Sequence, residues 1–286
     1  MIVVTGATGK LGSAVVESLL NRVPAEQIGV SVRDAAKAAA LAERGVRVRE
    51  ASFDDPAALE AAVEGADTVL VISTDVMGEP NVRRCLAAVD AAVKAGARRV
   101  VYTSHMGCNA DSLFQACRDH AQVEEHLAAS GVAWTALRNG FYALSALQFA
   151  EYGIQGGDVA VPEDGPVSWT THRDLADAAA AVLAGEVSYE GPTPPLTSTH
   201  TSTFEEIAQI GAEITGRPVV RTVISDEAFV QQMLGYGTPE VVARQLLGMF
   251  QAARAGEFEL TDPALEQILG RPSEGMREVI QERFAG

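Results

Sequence analysis

Lysine is nearly missing from this chain. Of 286 residues only Lys10, Lys37 and Lys94 carry an ammonium group, and none follows position 94. Basic residues total 22 against 38 acidic ones, a formal net charge of −16. A surface this acidic repels phosphate backbones and anionic membranes, so direct nucleic-acid or membrane binding is not expected. Cysteine is also scarce. Cys85, Cys108 and Cys117 are too few, and odd in number, for a disulfide framework, and they fit a reducing compartment. Taken with His105 and His120, Cys108 and Cys117 match no common zinc spacing, so no metal is expected and incidental thiols are favoured over redox-sensing ones. No run of about 18 uncharged apolar residues occurs, which argues against a transmembrane helix. Met1 leads straight into Ile2-Val3-Val4 with no basic n-region and no separate apolar h-region, so a signal peptide is not expected and the expected location is cytoplasmic.

What is present is apolar and periodic. Apolar residues make up 47% of the chain, enough for a large core and too many for global disorder. Short β-rich runs occupy Ile2–Thr5, Ile28–Arg33, Val46–Phe53, Thr68–Ser73, Arg99–Ser104 and Trp134–Arg138. Amphipathic stretches lie between them at Lys10–Asn21, Ala35–Arg44, Pro56–Glu64, Asn81–Ala95 and Leu113–Ser130. Strands alternating with helices of this length predict right-handed βαβ units and a doubly wound, Rossmann-type parallel sheet. VVTG, TVLVIS and RVVYTS are almost continuously apolar, as strands covered on both faces must be. Asp55-Pro56 supplies an N-cap and a first-turn proline, while Gly45, Gly65, Gly96 and Gly131 fall where a glycine ends a helix. After Gly140 the rhythm loosens into Gly-, Pro- and Thr-rich segments. The expected organisation is therefore a sheet domain over 1–140, joined again by 166–185 through a helix at His172–Leu183, and a smaller α/β C-terminal lobe over 141–286. His172-Arg173-Asp174 reads as the capped start of that returning helix. In Val230–Phe250 the positions Met233, Leu234, Leu246 and Leu247 roughly follow helical spacing. They read as lobe packing, with an apolar substrate pocket as the other reading. Such a face would serve a core or a homodimer alike.

Gly6, Gly9 and Gly12 recur every three residues directly after the first strand and open the first helix. A strand, a glycine turn and a helix N-terminus form a phosphate cradle. The turn needs a backbone without Cβ, the chain must approach a diphosphate closely, and the helix start offers unpaired N–H groups with partial positive charge. Gly12 would let the helix lie close against the sheet. The end of the second strand normally reads the adenosine ribose: an acid there selects NAD, an arginine NADP. The strand ends at Arg33, about 20 residues beyond the loop, and Asp34 follows where it can turn away as a helix cap. NADP(H) is the expected cofactor. NAD(H) stays open if Arg33 is merely a solvated charge.

The spacing TGATGxLG resembles extended and atypical short-chain dehydrogenases. VTGATGKLG (4–12), VRDAAKAAALAERGVRVREASFDDPAAL (32–59), VYTS (101–104), HAQVEEHLAASG (120–131), LRNGFY (137–142) and ILGRP (268–272) together are similar to the NmrA-like group, most of all to its quinone-reducing members. The likeness runs along the whole chain and is weaker in the second lobe. It implies NADPH between two lobes and a small quinone as electron acceptor, with a protein partner as the implication of the group's regulatory members. It further implies that Gly6, Thr8, Gly9, Lys10 and Leu11 touch the pyrophosphate and Arg33 the 2′-phosphate. Asp54 would lie near the adenine, unless it caps the following helix. Ser73 and Thr74 would lie beside a ribose, and Thr103 and Ser104 under the nicotinamide. Asn139, Gly140, Phe141 and Tyr142 would pack at the nicotinamide end, with Phe141 or Tyr142 near substrate. Arg138, set among apolar residues at a strand end, is expected to pair with a buried acid.

Short-chain dehydrogenases generally use Tyr-x-x-x-Lys, and none of the five tyrosines here has a lysine four residues on. NmrA-like reductases often keep only the lysine, and the matching position holds His120. Alcohol dehydrogenation by the usual route is therefore not expected. Quinone reduction asks less: the developing phenolate needs modest stabilisation, and ring proximity supplies much of the rate. His120 would donate to the quinone oxygen or hold the ribose, against the plainer reading of a helix-surface histidine. The leading expectation is an NADPH-dependent reductase that transfers hydride to a quinone or a similar conjugated carbonyl. The alternative is a non-catalytic NAD(P)-binding redox sensor.

Overall fold

The computed structural model describes residues 1–284; Ala285 and Gly286, at the end of the expected second lobe, lie outside the described residues. In chain order the elements are β1 (Ile2–Thr5), α1 (Lys10–Leu20), β2 (Ile28–Val32), α2 (Ala39–Glu43), β3 (Arg47–Glu50), α3 (Pro56–Val63), β4 (Thr68–Val71), α4 (Glu79–Lys94), β5 (Arg99–His105), α5 (Gln115–Ala129) and β6 (Ala133–Asn139). There follow β7 (Phe141–Tyr142), α6 (Ala143–Gly156), β8 (Asp158–Pro162), β9 (Trp169–Thr170), α7 (His172–Ala184), β10 (Gly191–Pro192), α8 (Phe204–Thr215), β11 (Val220–Ile224), α9 (Asp226–Gly235), α10 (Glu240–Arg254), α11 (Ala264–Leu269) and α12 (Met276–Phe284).

The chain divides into two compact units. The first comprises Met1–His105, Asp119–Arg138 and His172–Pro194; the second comprises Met106–Arg118, Asn139–Thr171 and Pro195–Gly286. Met106–Arg118 thus falls in the second unit, where the sequence reading had it in the first.

The first unit is built on a seven-stranded sheet in the order β10-β6-β5-β4-β1-β2-β3. β1 pairs in parallel with β2 and β4, β2 with β3, β4 with β5, and β10 with β6. Val3, Val4, Val69, Leu70, Val71, Val100 and Val101 are wholly buried, which explains the unbroken apolar runs: helices cover both faces. Each such side chain contributes about 1.5–3 kcal/mol on leaving water. α1 presents Leu11, Val15, Val16 and Leu19 to the sheet, and α4 presents Cys85, Ala88, Val89 and Ala92, both at helical spacing. α7 packs along α1 with a nearly pure alanine face, Ala176 and Ala178–Ala181, small enough to bring the two helices close. Ser18 donates to Asp177 across that contact at 2.6 Å.

Two elements depart from the sequence reading. Ala35–Arg44 is not one helix but a 3-10 turn over Ala35–Ala38 followed by the short α2. Asp34 accepts from the Ala36 amide at 3.0 Å, and this local bond favours the tighter turn. α4 begins at Glu79, two residues earlier than expected, because Pro80 is well suited to a first turn.

The second unit holds two parallel ribbons, β8 with β11 and β7 with β9, among α6 and α8–α12. α8 starts with a capping box formed by Thr203 and Glu206. Its core is aromatic. Phe149, Phe204, Phe229 and Phe250 pack with ring centroids 5.2–6.4 Å apart, and Phe114, Phe141, Trp169 and Phe258 form a second cluster. The Val230–Phe250 stretch breaks into α9 and α10 around Gly237 and Pro239. Leu247, Met249 and Phe250 enter the core, while Met233, Leu234 and Leu246 stay half-buried. Among the described residues no helix is long and apolar enough to cross a membrane.

Candidate functional site

The site elements of the first unit gather at the carboxyl ends of β2, β1, β4 and β5. The register sets Thr5 beside Ser31 and Val71 beside Tyr102, so these ends align. The chain leaves β1 through Gly6, whose φ of +62° is the left-handed region a side chain disfavours. The Gly6 carbonyl accepts the Gly9 amide at 3.0 Å. A Cβ at Gly12 would lie 2.3 Å from that same carbonyl and 2.9 Å from Ala7 Cα, so the first turn of α1 touches the loop directly. Gly9 is the N-cap of α1 and has no capping side chain, and no acid occupies the first turn. By contrast Asp55 caps α3 and Ser225 caps α9. Gly6, Thr8, Gly9 and Lys10 are exposed. An open helix start with partial positive charge, bare of side chains and next to an exposed lysine, is the chemistry a diphosphate requires. Lys10 also acts on His172 at the start of α7: burial first, then the Lys10 charge, lower that imidazole to about 4.

Arg33 follows β2 and is exposed; among the described residues its guanidinium has no ion pair. Asp34 is engaged with the Ala36 amide, so the acid that would favour a free 2′-hydroxyl is turned to a structural task. Asp54 does not cap α3; that role falls to Asp55, which accepts from the Ala58 amide. Asp54 instead holds Arg84 through two bonds of 2.9 and 2.8 Å, which keeps its carboxyl below the usual range.

Ser73 and Thr74 follow β4. The Ser73 amide donates to Thr103 Oγ1 at 2.9 Å, which ties the end of β4 to β5. The Thr74 amide and hydroxyl both reach Asn81 Oδ1, at 3.3 and 2.8 Å. Ser104 is buried and donates to Glu124 Oε1 at 2.6 Å. Glu124 in turn accepts two bonds from Arg138, at 3.1 and 2.7 Å, so Arg138 has the buried acid expected for it. His120 is buried rather than on the helix surface, with 8% exposure. Its Nδ1 lies 2.7 Å from the Tyr102 hydroxyl, and His105 stacks on its ring at 6.1 Å. Burial lowers the His120 pKa to about 4, while the Asp119 and Glu124 charges oppose the shift. Burial likewise lowers His105 to about 3 and raises the Cys85 and Cys117 thiols to about 11 and about 12, so neither thiol is a thiolate near neutral pH.

Asn139, Gly140, Phe141 and Tyr142 belong to the second unit. A Cβ on Gly140 would lie 2.1 Å from Thr170 Oγ1 and 3.0 Å from the Leu196 carbonyl, which its own amide binds at 2.8 Å. The Phe141 ring is buried among Phe114, Trp169 and Phe258, at 5.2–5.6 Å, and serves the core of that unit. Burial raises the Tyr142 hydroxyl, with the neighbouring Asn139 amide pulling the other way, so the phenol stays protonated.

Sequence reasoning gave no role to Asn81, Asp119 or Tyr102 and weighed His105 only as a metal ligand. Asn81 stands at the expected start of a helix and Asp119 inside the amphipathic stretch Leu113–Ser130. Only the fold shows both to be buried, at 2% and 0% exposure.

A parallel sheet ordered 3-2-1-4-5-6 and extended by one strand, with a bare glycine turn at its central strand, defines a Rossmann-type α/β protein. Within that class the chain belongs to the NmrA-like family, whose model matches residues 1–276. It is 33% identical to quinone oxidoreductase 2 of Escherichia coli, across 99% of each chain. It is 31% identical to an NAD(P)H azoreductase of Xenophilus azovorans, across 97% of this chain and 96% of that one. A crystal structure of an NADPH-dependent quinone oxidoreductase from Escherichia coli in complex with NADPH superposes with a TM-score of 0.93, covering 99% of this chain and all of that chain at 33% identity.

Proposed function

We propose that this chain is an NADPH-dependent reductase that delivers hydride to a quinone or a similar conjugated acceptor. The observation that carries the reading is the bare start of α1, where the close approach of Gly12 to the Gly6 carbonyl leaves no room for any side chain. Quinone oxidoreductase and azoreductase relatives support it, since quinones and azo compounds both take up electrons into a conjugated system. When bound, the reduced nicotinamide supplies the hydride.

The sheet order supports the following assignment of positions. Arg33 at the end of β2 binds a 2′-phosphate. Amides of the Gly6–Gly12 turn and Lys10, at the end of β1, hold the diphosphate. Ser73 and Thr74 after β4 border the second ribose, and Thr103 and Ser104 on β5 form the floor beneath the nicotinamide. His120 is neutral at pH 7, because its pKa is about 4. In the tautomer in which Nδ1 accepts from the Tyr102 hydroxyl 2.7 Å away, the ring carries its proton on Nε2 and offers a neutral hydrogen bond to an oxygen that gains charge. The Tyr142 hydroxyl, also kept protonated, is a donor of the same kind. A phenolate product asks no more than such donors, which fits a chain with no lysine beyond position 94.

The purified protein is mixed with NADPH and a small benzoquinone, and loss of the reduced nicotinamide absorbance is followed. Turnover is expected. Tight NADPH binding with no turnover across quinones and azo dyes would overturn the reductase reading and leave the non-catalytic sensor.

A further inference from the structure

The segment joining β4 to α4 runs from Ile72 to Gly78 and has no strand ladder to hold it. Four of its amides are fixed by side chains instead. Ile72 N–H donates to Thr5 Oγ1 at 3.0 Å, Ser73 N–H to Thr103 Oγ1 at 2.9 Å, Thr74 N–H to Asn81 Oδ1 at 3.3 Å, and Gly78 N–H to Asp119 Oδ2 at 2.6 Å. Asp119 Oδ2 also accepts from Asn81 Nδ2 at 3.3 Å, which aims the Asn81 oxygen at Thr74. One fully buried carboxylate on α5 therefore grips both ends of the segment, directly at Gly78 and through Asn81 at Thr74. Burying a carboxylate is costly, and here Gly78 N–H of this segment and Asn81 Nδ2 of the helix start that follows it both donate to Asp119 Oδ2.

The consequence is chemical. With the amides of Ile72, Ser73 and Thr74 turned onto protein acceptors, and the Thr74 hydroxyl donating to Asn81, residues 72–74 can meet a ligand through carbonyl oxygens and the Ser73 hydroxyl, whose oxygen also accepts from Thr103 Oγ1 at 3.3 Å. That is an acceptor-rich ledge, suited to the hydroxyl donors of a sugar. We propose that Asp119, acting through Asn81, is a positioning residue that holds this ledge against the second ribose of the dinucleotide, the one nearer the nicotinamide. The inference rests on the cofactor reading above. In the sheet order the ledge, at β4, stands on the far side of β1 from Arg33, at β2. The ribose and the 2′-phosphate are therefore read by separate parts of the unit.

That separation supplies the test. Dissociation constants for NADPH and for 2′,5′-ADP, which has the 2′-phosphate but no second ribose, are measured by calorimetry on the full chain, with melting temperatures alongside. Asp119→Ala and Asn81→Ala are expected to weaken NADPH by about 10-fold or more, as befits loss of buried hydrogen bonds to a charged group, with 2′,5′-ADP unchanged. Asp119→Asn retains an oxygen for the Gly78 and Asn81 N–H groups and is expected to restore most of the NADPH affinity. In turnover the loss should appear in the KM for NADPH and leave the KM for quinone nearly unchanged. Equal losses for both ligands, or a lowered melting temperature with NADPH affinity intact, would overturn the proposal and make Asp119 purely structural. If Asp119→Ala does not fold, Asn81→Ala and Asp119→Asn decide the matter alone. Failure of the unmodified chain to bind NADPH would refute the cofactor reading itself, which is a separate result.

Discussion

Replacing Arg33 by alanine should change which nicotinamide cofactor the protein prefers. The guanidinium is exposed and has no ion pair among the described residues, and its neighbour Asp34 is occupied by the Ala36 amide. Binding a 2′-phosphate therefore breaks no existing contact of Arg33, and nearly all of the new charge-assisted bonding contributes to affinity. Such bonds are worth about 1.5–3 kcal/mol, so Arg33→Ala should weaken NADPH about 10- to 150-fold. The lower end is the better expectation at physiological salt, because an exposed pair is screened. NADH lacks the phosphate and should bind the variant as it binds the parent chain. Arg33→Lys keeps the charge but loses the planar fork and should fall between. Fluorescence titration of both cofactors at two ionic strengths reads all three quantities. Equal loss of NADPH and NADH affinity, or an NADPH loss insensitive to salt, would refute the 2′-phosphate role.

Gly12→Ala places a methyl 2.3 Å from the Gly6 carbonyl, so α1 or the turn must move. We expect a stability loss of about 1–3 kcal/mol by denaturant titration, with affinity for NADPH and NADH reduced alike; unchanged affinity would show that the turn touches no cofactor. Acid should destabilise the fold. His120 has a folded pKa of about 4 against an ordinary 6.5, so between those values the unfolded chain takes up a proton that the folded chain refuses. Stability is present above pH 6.5 and falls as pH drops toward 4, by about 2 kcal/mol from this group alone at pH 5, and His120→Gln should flatten the slope of melting temperature against pH. The same substitution should lower turnover, and the parent profile should show no step near 6.5; a rate that titrates with an unperturbed imidazole would contradict the burial argument.

The cofactor half of the fold was legible because local rules and global packing agree there. Apolar runs doubly covered by helices, Asp55-Pro56 and the glycine spacing each point to one conformation, and all six sheet strands of the first half formed within a few residues of their expected places. The turning away of Asp34 was legible as a cap, and Asp34 does accept from the Ala36 amide. The Asp119–Asn81 pair was not legible, because burial of a polar residue on an amphipathic helix depends on what packs over it. His120 shows the same limit: its position in the sequence suggested chemistry, but its contact with Tyr102 and its neutral state arise from a neighbouring strand. The sequence sets Phe141 or Tyr142 near substrate, and the Phe141 ring lies in an aromatic cluster with Phe114, Trp169 and Phe258, far apart in the chain.

The alanine face of α7 has a bearing on how the polypeptide matures on the ribosome. Its partner α1 is made first, but residues 172–184 emerge only after some 150 others have followed it. A nascent chain ending near 140, where a linear reading would end the nucleotide-binding region, leaves one flank of α1 bare and Ser18 without Asp177. Such a truncated product should be sticky and protease-sensitive, and adding the missing helix in trans as a peptide should protect it.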